Sequence, residues 1–110
     1  MNKNVKVLKK HDINLRDADL IESELSNSNL RNADLRGANA IGANLHDSDL
    51  QNAKCGAADL SNANLSGVDL RHADLIGVDL RCSNLTHADF KDADLTDANL
   101  DGSNLNDAAI

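Results

Sequence analysis

The residues of this chain equipped for chemistry are four histidines, two cysteines and 18 Asp or Glu side chains. The histidines are His11, His46, His72 and His87, and the cysteines are Cys55 and Cys82. Histidine and cysteine hold metals when they recur at short, paired ligand spacings. None does so here, and no metal or cofactor is expected. No serine or cysteine has an obvious base nearby, and no glycine loop precedes a helical pattern to hold phosphate. The carboxylates recur with a strict period that the fold itself demands, so they give no reason to expect acid–base catalysis. The chain is therefore expected not to be an enzyme, and the period becomes the question.

Residues 61–80 read SNANLSGVDLRHADLIGVDL, with Leu65, Leu70, Leu75 and Leu80 at intervals of five. On a helix turning about 100° per residue, such leucines would stand about 140° apart and share no face. Along a strand, an odd spacing sends alternate side chains to opposite faces. From Leu15 to Ile110 every fifth residue is Leu except Ala40, Cys55, Phe90 and Ile110. The residue before it is Asp or Asn except at Glu24, Lys54 and Ala109, and the residue before that is small or branched. The phrase A-(D/N)-L-x-x thus runs from Ile13 to the end.

The second residue after each leucine marks a corner. Gly37, Gly42, Gly67, Gly77 and Gly102 stand there, and most other such positions are Asn or Asp. These are the residue types that tolerate positive φ, which a type II turn requires at its third residue. A chain that turns in one sense every five residues climbs as a solenoid, and stacking supplies the core that a single coil lacks. The leucines and the Ala or Ser positions are expected to point inward, with the Asp or Asn and the two following residues outward.

These residues and their spacing resemble the pentapeptide-repeat family. The resemblance implies an all-β fold, a right-handed four-sided parallel β-helix with 20 residues per coil. Residues 13–110 would make about five coils, a rod about 24 Å long at a strand spacing of roughly 4.8 Å. Residues 1–12, with Val5 and Val7 alternating with charges, are expected to form an N-terminal capping segment over Ile21 and Ile41.

That register stacks residue n on n+20. Asn44, Asn64, Asn84 and Asn104 would form an amide ladder. Asp49, Asp69 and Asp89 would form an acidic face towards a partner, relieved by Arg31, Arg71 and Lys91. Asp92 would lie on His72 and Asp107 on His87. In QNAKCGAADL, Cys55 replaces an inward leucine, so a void or local adjustment is expected there. Cys55 should be buried and inert and Cys82 exposed, with no bridge between them.

The formal net charge is −7, of which residues 1–12 contribute +3 and residues 13–110 contribute −10. An acidic body favours a basic protein surface and disfavours direct nucleic-acid binding. No apolar run is long enough for a membrane span, and the two cysteines make no disulfide framework; a cytoplasmic setting is expected. The functional expectation is a protein-binding or scaffold module with an unknown protein partner. The alternative is a DNA mimic that binds a type II topoisomerase, as the resemblance implies for some members. Ice binding is disfavoured because only Thr86 and Thr96 follow a central leucine. The sequence ends NLNDAAI, inside a repeat, which would leave Leu105 and Ile110 open to water. Either the chain is a fragment of a longer protein or two rods stack end to end, and the expectation is self-association as a homodimer by stacking of C-terminal coils.

Overall fold

One turn and one inter-coil bridge in every five residues build the molecule. A computed structural model describes residues 12–110, and the capping segment expected over 1–12 lies outside them apart from Asp12. Every corner residue from Asp12 to Asp107 has positive φ, between 55° and 73°. Five corners are glycine, but Glu22, Ala57, His72, Cys82 and His87 hold the same conformation. Two hydrogen bonds offset the cost of placing an L-residue there. One closes the turn, as from Ala18 N–H to Leu15 C=O at 3.1 Å and from Val68 N–H to Leu65 C=O at 3.1 Å. The other ties the corner N–H to the next coil, as from Glu22 to Ile41 C=O at 2.8 Å and from His72 to Lys91 C=O at 3.0 Å.

Between corners the coils pair as isolated parallel bridges joining residues 20 apart, for example Asn14 to Asp34, Asp34 to Lys54 and Lys54 to Asp74. Leu15 N–H donates to Asp34 C=O at 2.7 Å, and Asp34 N–H donates to Ile13 C=O at 2.9 Å. Each side contributes a single bridging residue, so the described residues contain neither a longer strand nor a helix. The sides are this short because the turns leave nothing more to pair. The principal extents are 30 × 22 × 22 Å.

The central leucines from Leu15 to Leu85 are buried, together with Cys55 and Phe90 at leucine positions and the alanines two residues before a centre from Ala33 to Ala88. Leu95, Leu100 and Leu105 are only partly buried. An apolar cavity of about 10 Å³ is lined by Leu20, Ala38, Ala40, Leu45, Ala58 and Leu60, among others, and Cys55 does not line it. Ala40 keeps only Cβ of a leucine side chain, whereas the Cys55 sulfur still fills part of the space. Ser48 Oγ links coils by donating to Leu25 C=O at 2.8 Å and accepting Ser28 N–H at 3.1 Å. Ser23 Oγ is buried without a hydrogen-bond partner among the described residues.

Candidate functional site

The acidic position before each centre has a structural task. At each Asp, Asn or Glu there, from Asn14 to Asn104, a side-chain oxygen accepts the backbone N–H two residues on, at 3.0–3.4 Å. Short polar side chains with an oxygen on Cγ make this local bond readily. Serine and threonine at the receiving position add a second bond, as from Thr86 Oγ1 to Asn84 Oδ1 at 2.8 Å. The side chains expected to point outward therefore curl over their own turn. This also replaces the amide ladder, because the Asn64, Asn84 and Asn104 oxygens are used within their own turns. The inter-coil bond in that column runs from the Asn44 amide to the Glu24 carboxylate, at 3.0 and 3.2 Å.

Asp49, Asp69 and Asp89 do stack, joined by successive bridges. Arg71 forks onto Asp69 through Nε at 2.9 Å and Nη2 at 2.7 Å, and its Nε stands 3.9 Å from Asp89. Arg31 lies 4.0 Å from Asp49, and the Gln51 amide donates to Asp49 at 3.2 Å. Lys91 gives Asp89 its backbone N–H at 3.0 Å, so the expected relief of Asp89 comes from Arg71 instead. The same fork recurs at Arg36 with Asp34 and at Arg81 with Asp79. Hydrogen bonds from these arginines hold the Asp34, Asp69 and Asp79 carboxyls below the usual carboxylate range, against a smaller opposing effect of burial. The Thr96 hydroxyl and backbone N–H lower Asp94 likewise. The acidic column is thus partly compensated.

His46 lies against Ser66 across adjacent coils. Its Nδ1 lies 2.7 Å from Ser66 Oγ and 3.1 Å from Ser66 C=O, and its Nε2 lies 3.0 Å from Asp47 Oδ2. With the Ser66 hydroxyl donated to Asn64 Oδ1 and Nδ1 also facing the Ser66 carbonyl, Nδ1 is the donor to Ser66 and not its base; the contact itself was legible, since 46 and 66 differ by one coil. Hydrolysis would also need free donors for an oxyanion. The nearby N–H groups of Ser66 and Gly67 go to Asn64 Oδ1 and Thr86 C=O, and Ser66 Oγ–H goes to Asn64 Oδ1. The cluster acts as a clamp between coils. His72 lies 3.9 Å from Asp92 and His87 3.9 Å from Asp107, the stacked pairs that the register implies.

Cys55 is buried, and its thiol is pushed up to about 12 by burial and then by Asp74 and Asp34; Cys82 is exposed. Both are free thiols. Leu105 is half-buried, Ile110 is 78% exposed and Ile76 is 43% exposed. Among the described residues no three His, Cys, Asp or Glu side chains are grouped to hold a metal ion. No helix among them is long and apolar enough to cross a membrane.

A family model for pentapeptide repeats, 8 copies, matches residues 13–52, 53–92 and 69–107. The chain belongs to the pentapeptide-repeat family. Similar solved structures include a pentapeptide-repeat protein of the Arabidopsis thaliana thylakoid lumen. It is 31% identical with a TM-score of 0.39, the match covering 94% of this chain and 63% of that one. HetL, a pentapeptide-repeat protein involved in heterocyst differentiation regulation in the cyanobacterium Nostoc, is 20% identical with a TM-score of 0.48 over 96% and 86% of the two chains. QnrB1, a plasmid-mediated fluoroquinolone resistance protein, is 20% identical with a TM-score of 0.56 over 94% of this chain and 55% of QnrB1. That last likeness establishes a shared β-helical repeat fold. The chain spans less than two thirds of the Arabidopsis protein and of QnrB1. No curated protein matches it.

Proposed function

We propose that this pentapeptide-repeat chain is a non-enzymatic protein-binding or scaffold module that presents an acidic, rigid surface to a basic protein partner in the cytoplasm. One observation carries the reading: the Asp, Asn and Glu side chains before each centre are taken up in turns and arginine forks, and His46 with Ser66 forms a clamp. What remains is a regular surface, with 17 carboxylates against 7 Lys or Arg over residues 13–110. The geometry proposed with it is a right-handed, four-sided coil repeated about five times. The 20-residue bridge spacing and one turn per five residues support that geometry. The test is a pull-down from the native host at low and high salt. A saturable basic partner released by salt is expected; retention of none, or of partners insensitive to salt, counts against the reading.

The fold shared with QnrB1 favours a second reading, mimicry of DNA towards a type II topoisomerase. Duplex DNA carries one charge per roughly 1.7 Å, and the carboxylate count here is comparable over a similar length. The arginine forks dilute that pattern. Gyrase supercoiling with purified chain at low salt decides it: neither inhibition nor protection from quinolones would end this reading.

A further inference from the structure

The phrase that opens at Lys54 departs from the repeat on the surface as well as in the core. Gly56 stands in the column of Arg16, Arg36, Ile76 and Thr96, one residue after the centre, where every other member has a side chain beyond Cβ. Its φ lies outside the left-handed region, unlike that of the corner glycines, so the turn does not require glycine there. A Cβ at Gly56 would stand 3.7 Å from Ile76 C=O and 3.9 Å from Arg36 Cγ, ordinary contact distances, so a side chain would fit where none is present. The result is a socket between the Arg36 stem and Ile76. Ile76 itself is exposed, and besides Ile110 it is the one large apolar side chain exposed among the described residues. The corner column beside them is equally bare. It presents Gly37, Ala57 and Gly77, and a Cβ at Gly77 would meet nothing within 4 Å.

Charge on the same face makes it self-complementary. Lys54 and Asp74 are successive members of the column beside the socket, and neither makes an ion pair among the described residues. We propose that a second copy docks antiparallel against this face, about a two-fold axis passing between the Lys54 coil and the Asp74 coil. Each Lys54 then faces the partner's Asp74, each Ile76 enters the partner's Gly56 socket, and each Ala57 lies over the partner's Gly77. The symmetry makes every one of these contacts twice. One coil further out, Arg36 meets the partner's Thr96 beside Asp94 and Asp97. Asp34 faces the partner's Asp94 with its own charge already met by the Arg36 fork, at 2.9 and 2.7 Å.

Neighbouring registers fit less well. An axis through the Lys54 coil sets lysine on lysine and Ile76 on the partner's Arg36. An axis through the Asp74 coil sets aspartate on aspartate and leaves the socket empty. One between the Asp34 and Lys54 coils keeps an ion pair, but it brings Arg36, already forked onto Asp34, to the socket. The proposed register alone matches charge and shape together, and like-charge contacts act against the first two. The overlapping coils, from Asp34 to Asp97, form a face no wider than 22 Å and bury less than the ~1,200 Å² of a stable interface. The dimer should therefore be weak and reversible, and its closed symmetry stops assembly at two. The other sides of the rod stay free, so the dimer stands or falls independently of the partner binding proposed above.

Sedimentation velocity of the full chain into the millimolar range tests this, followed by interference optics because the chain has no Trp or Tyr. Gly56→Gln fills the socket, and Arg16 and Arg36 in the same column show that a coil tolerates a long side chain there. Ile76→Thr removes the projecting side chain and matches Thr96. Lys54→Asp and Asp74→Lys each set like charges opposite one another, and the double variant restores the pair with its signs exchanged. Circular dichroism confirms that every variant remains folded. The expected result is a monomer–dimer equilibrium that advances no further. Gly56→Gln, Ile76→Thr and either single charge reversal should weaken it about tenfold, and the double reversal should recover it. Monomer at every concentration overturns the proposal and leaves the face to a partner of another kind. Association untouched by Gly56→Gln and Ile76→Thr also overturns it, because the contact would then run through another surface. So does a double reversal that associates no better than the single ones.

Discussion

Lys54 interrupts the row of side chains that accept a turn N–H, and it shows what that row contributes. Its ammonium cannot accept the Gly56 N–H, whereas Asp34 and Asp74, one coil away on either side, accept from Arg36 and Ile76 at 3.1 and 3.0 Å. Replacing Lys54 with Asn supplies an acceptor worth about 1 kcal/mol and removes an exposed charge between two carboxylates worth up to about 1 kcal/mol. The net gain expected is about 0.5 kcal/mol, a rise in Tm of roughly 2–4 °C by circular dichroism. A fall in Tm would show that Lys54 matters more for its charge. The Asp or Asn preference was legible in the sequence, but its cause was not. Alternation with leucine suggested an outward side chain, and only the turn geometry shows it bending back onto residue x of its own phrase. The preference for Asx over longer Glu was the overlooked signal. The Ser66–His46 contact joins residues distant in sequence and was legible only through the 20-residue register, which stacks 66 on 46.

At the scale of the turn and the stacked column, the same conformation carries different penalties. Gly67 and Gly77 both have φ of 69°. A Cβ on Gly67 would collide with Asp47 Oδ1, while one on Gly77 would meet nothing within 4 Å. Gly77→Ala is expected to lose about 1 kcal/mol, the cost of the left-handed region for an L-residue. Gly67→Ala should lose about 2–3 kcal/mol, because Asp47 must also leave His46. Urea denaturation measures both, and adding Asp47→Ala should recover part of the Gly67→Ala loss; equal losses at the two glycines would contradict the steric reading. In the core, Ala40→Val fills the cavity beneath Leu60 and is expected to add about 1 kcal/mol, read by the same titration. The leucine register made the coil and its inward face legible at this scale. It did not locate the void, because a substituted centre announces missing volume without saying how closely its neighbours settle around sulfur or a bare methyl.

For the whole molecule, the arginine forks couple stability to acid. The Asp34, Asp69 and Asp79 carboxyls are held below their ordinary 3.8 by Arg36, Arg71 and Arg81, and Asp94 is held down by Thr96. A carboxyl depressed in the fold stabilises it fully above its unfolded value, and the contribution fades as pH falls from there through the folded value. Between those limits the unfolded chain takes up protons that the native coils refuse. Acid unfolding of the native protein is therefore expected with a midpoint below pH 3.8, driven further by repulsion among 11 Lys and Arg and 4 His once the carboxylates are neutral. Replacing Arg36, Arg71 and Arg81 together with Gln removes the cause of three of the four depressions and also removes positive charge. These effects oppose each other at low pH, and low salt makes both visible. The forks act over hydrogen-bonding distance, whereas the excess charge is spread over the rod, so loss of the forks should dominate. The triple variant should be modestly less stable than the native chain at pH 7, where the forks contribute in full though the pairs are exposed, and should unfold at a higher pH, the difference narrowing as pH falls. Circular dichroism followed from pH 7 to pH 2 measures the two midpoints. A midpoint that stays in place, or moves lower, would mean that net charge rather than the forks governs how the stacked coils respond to acid.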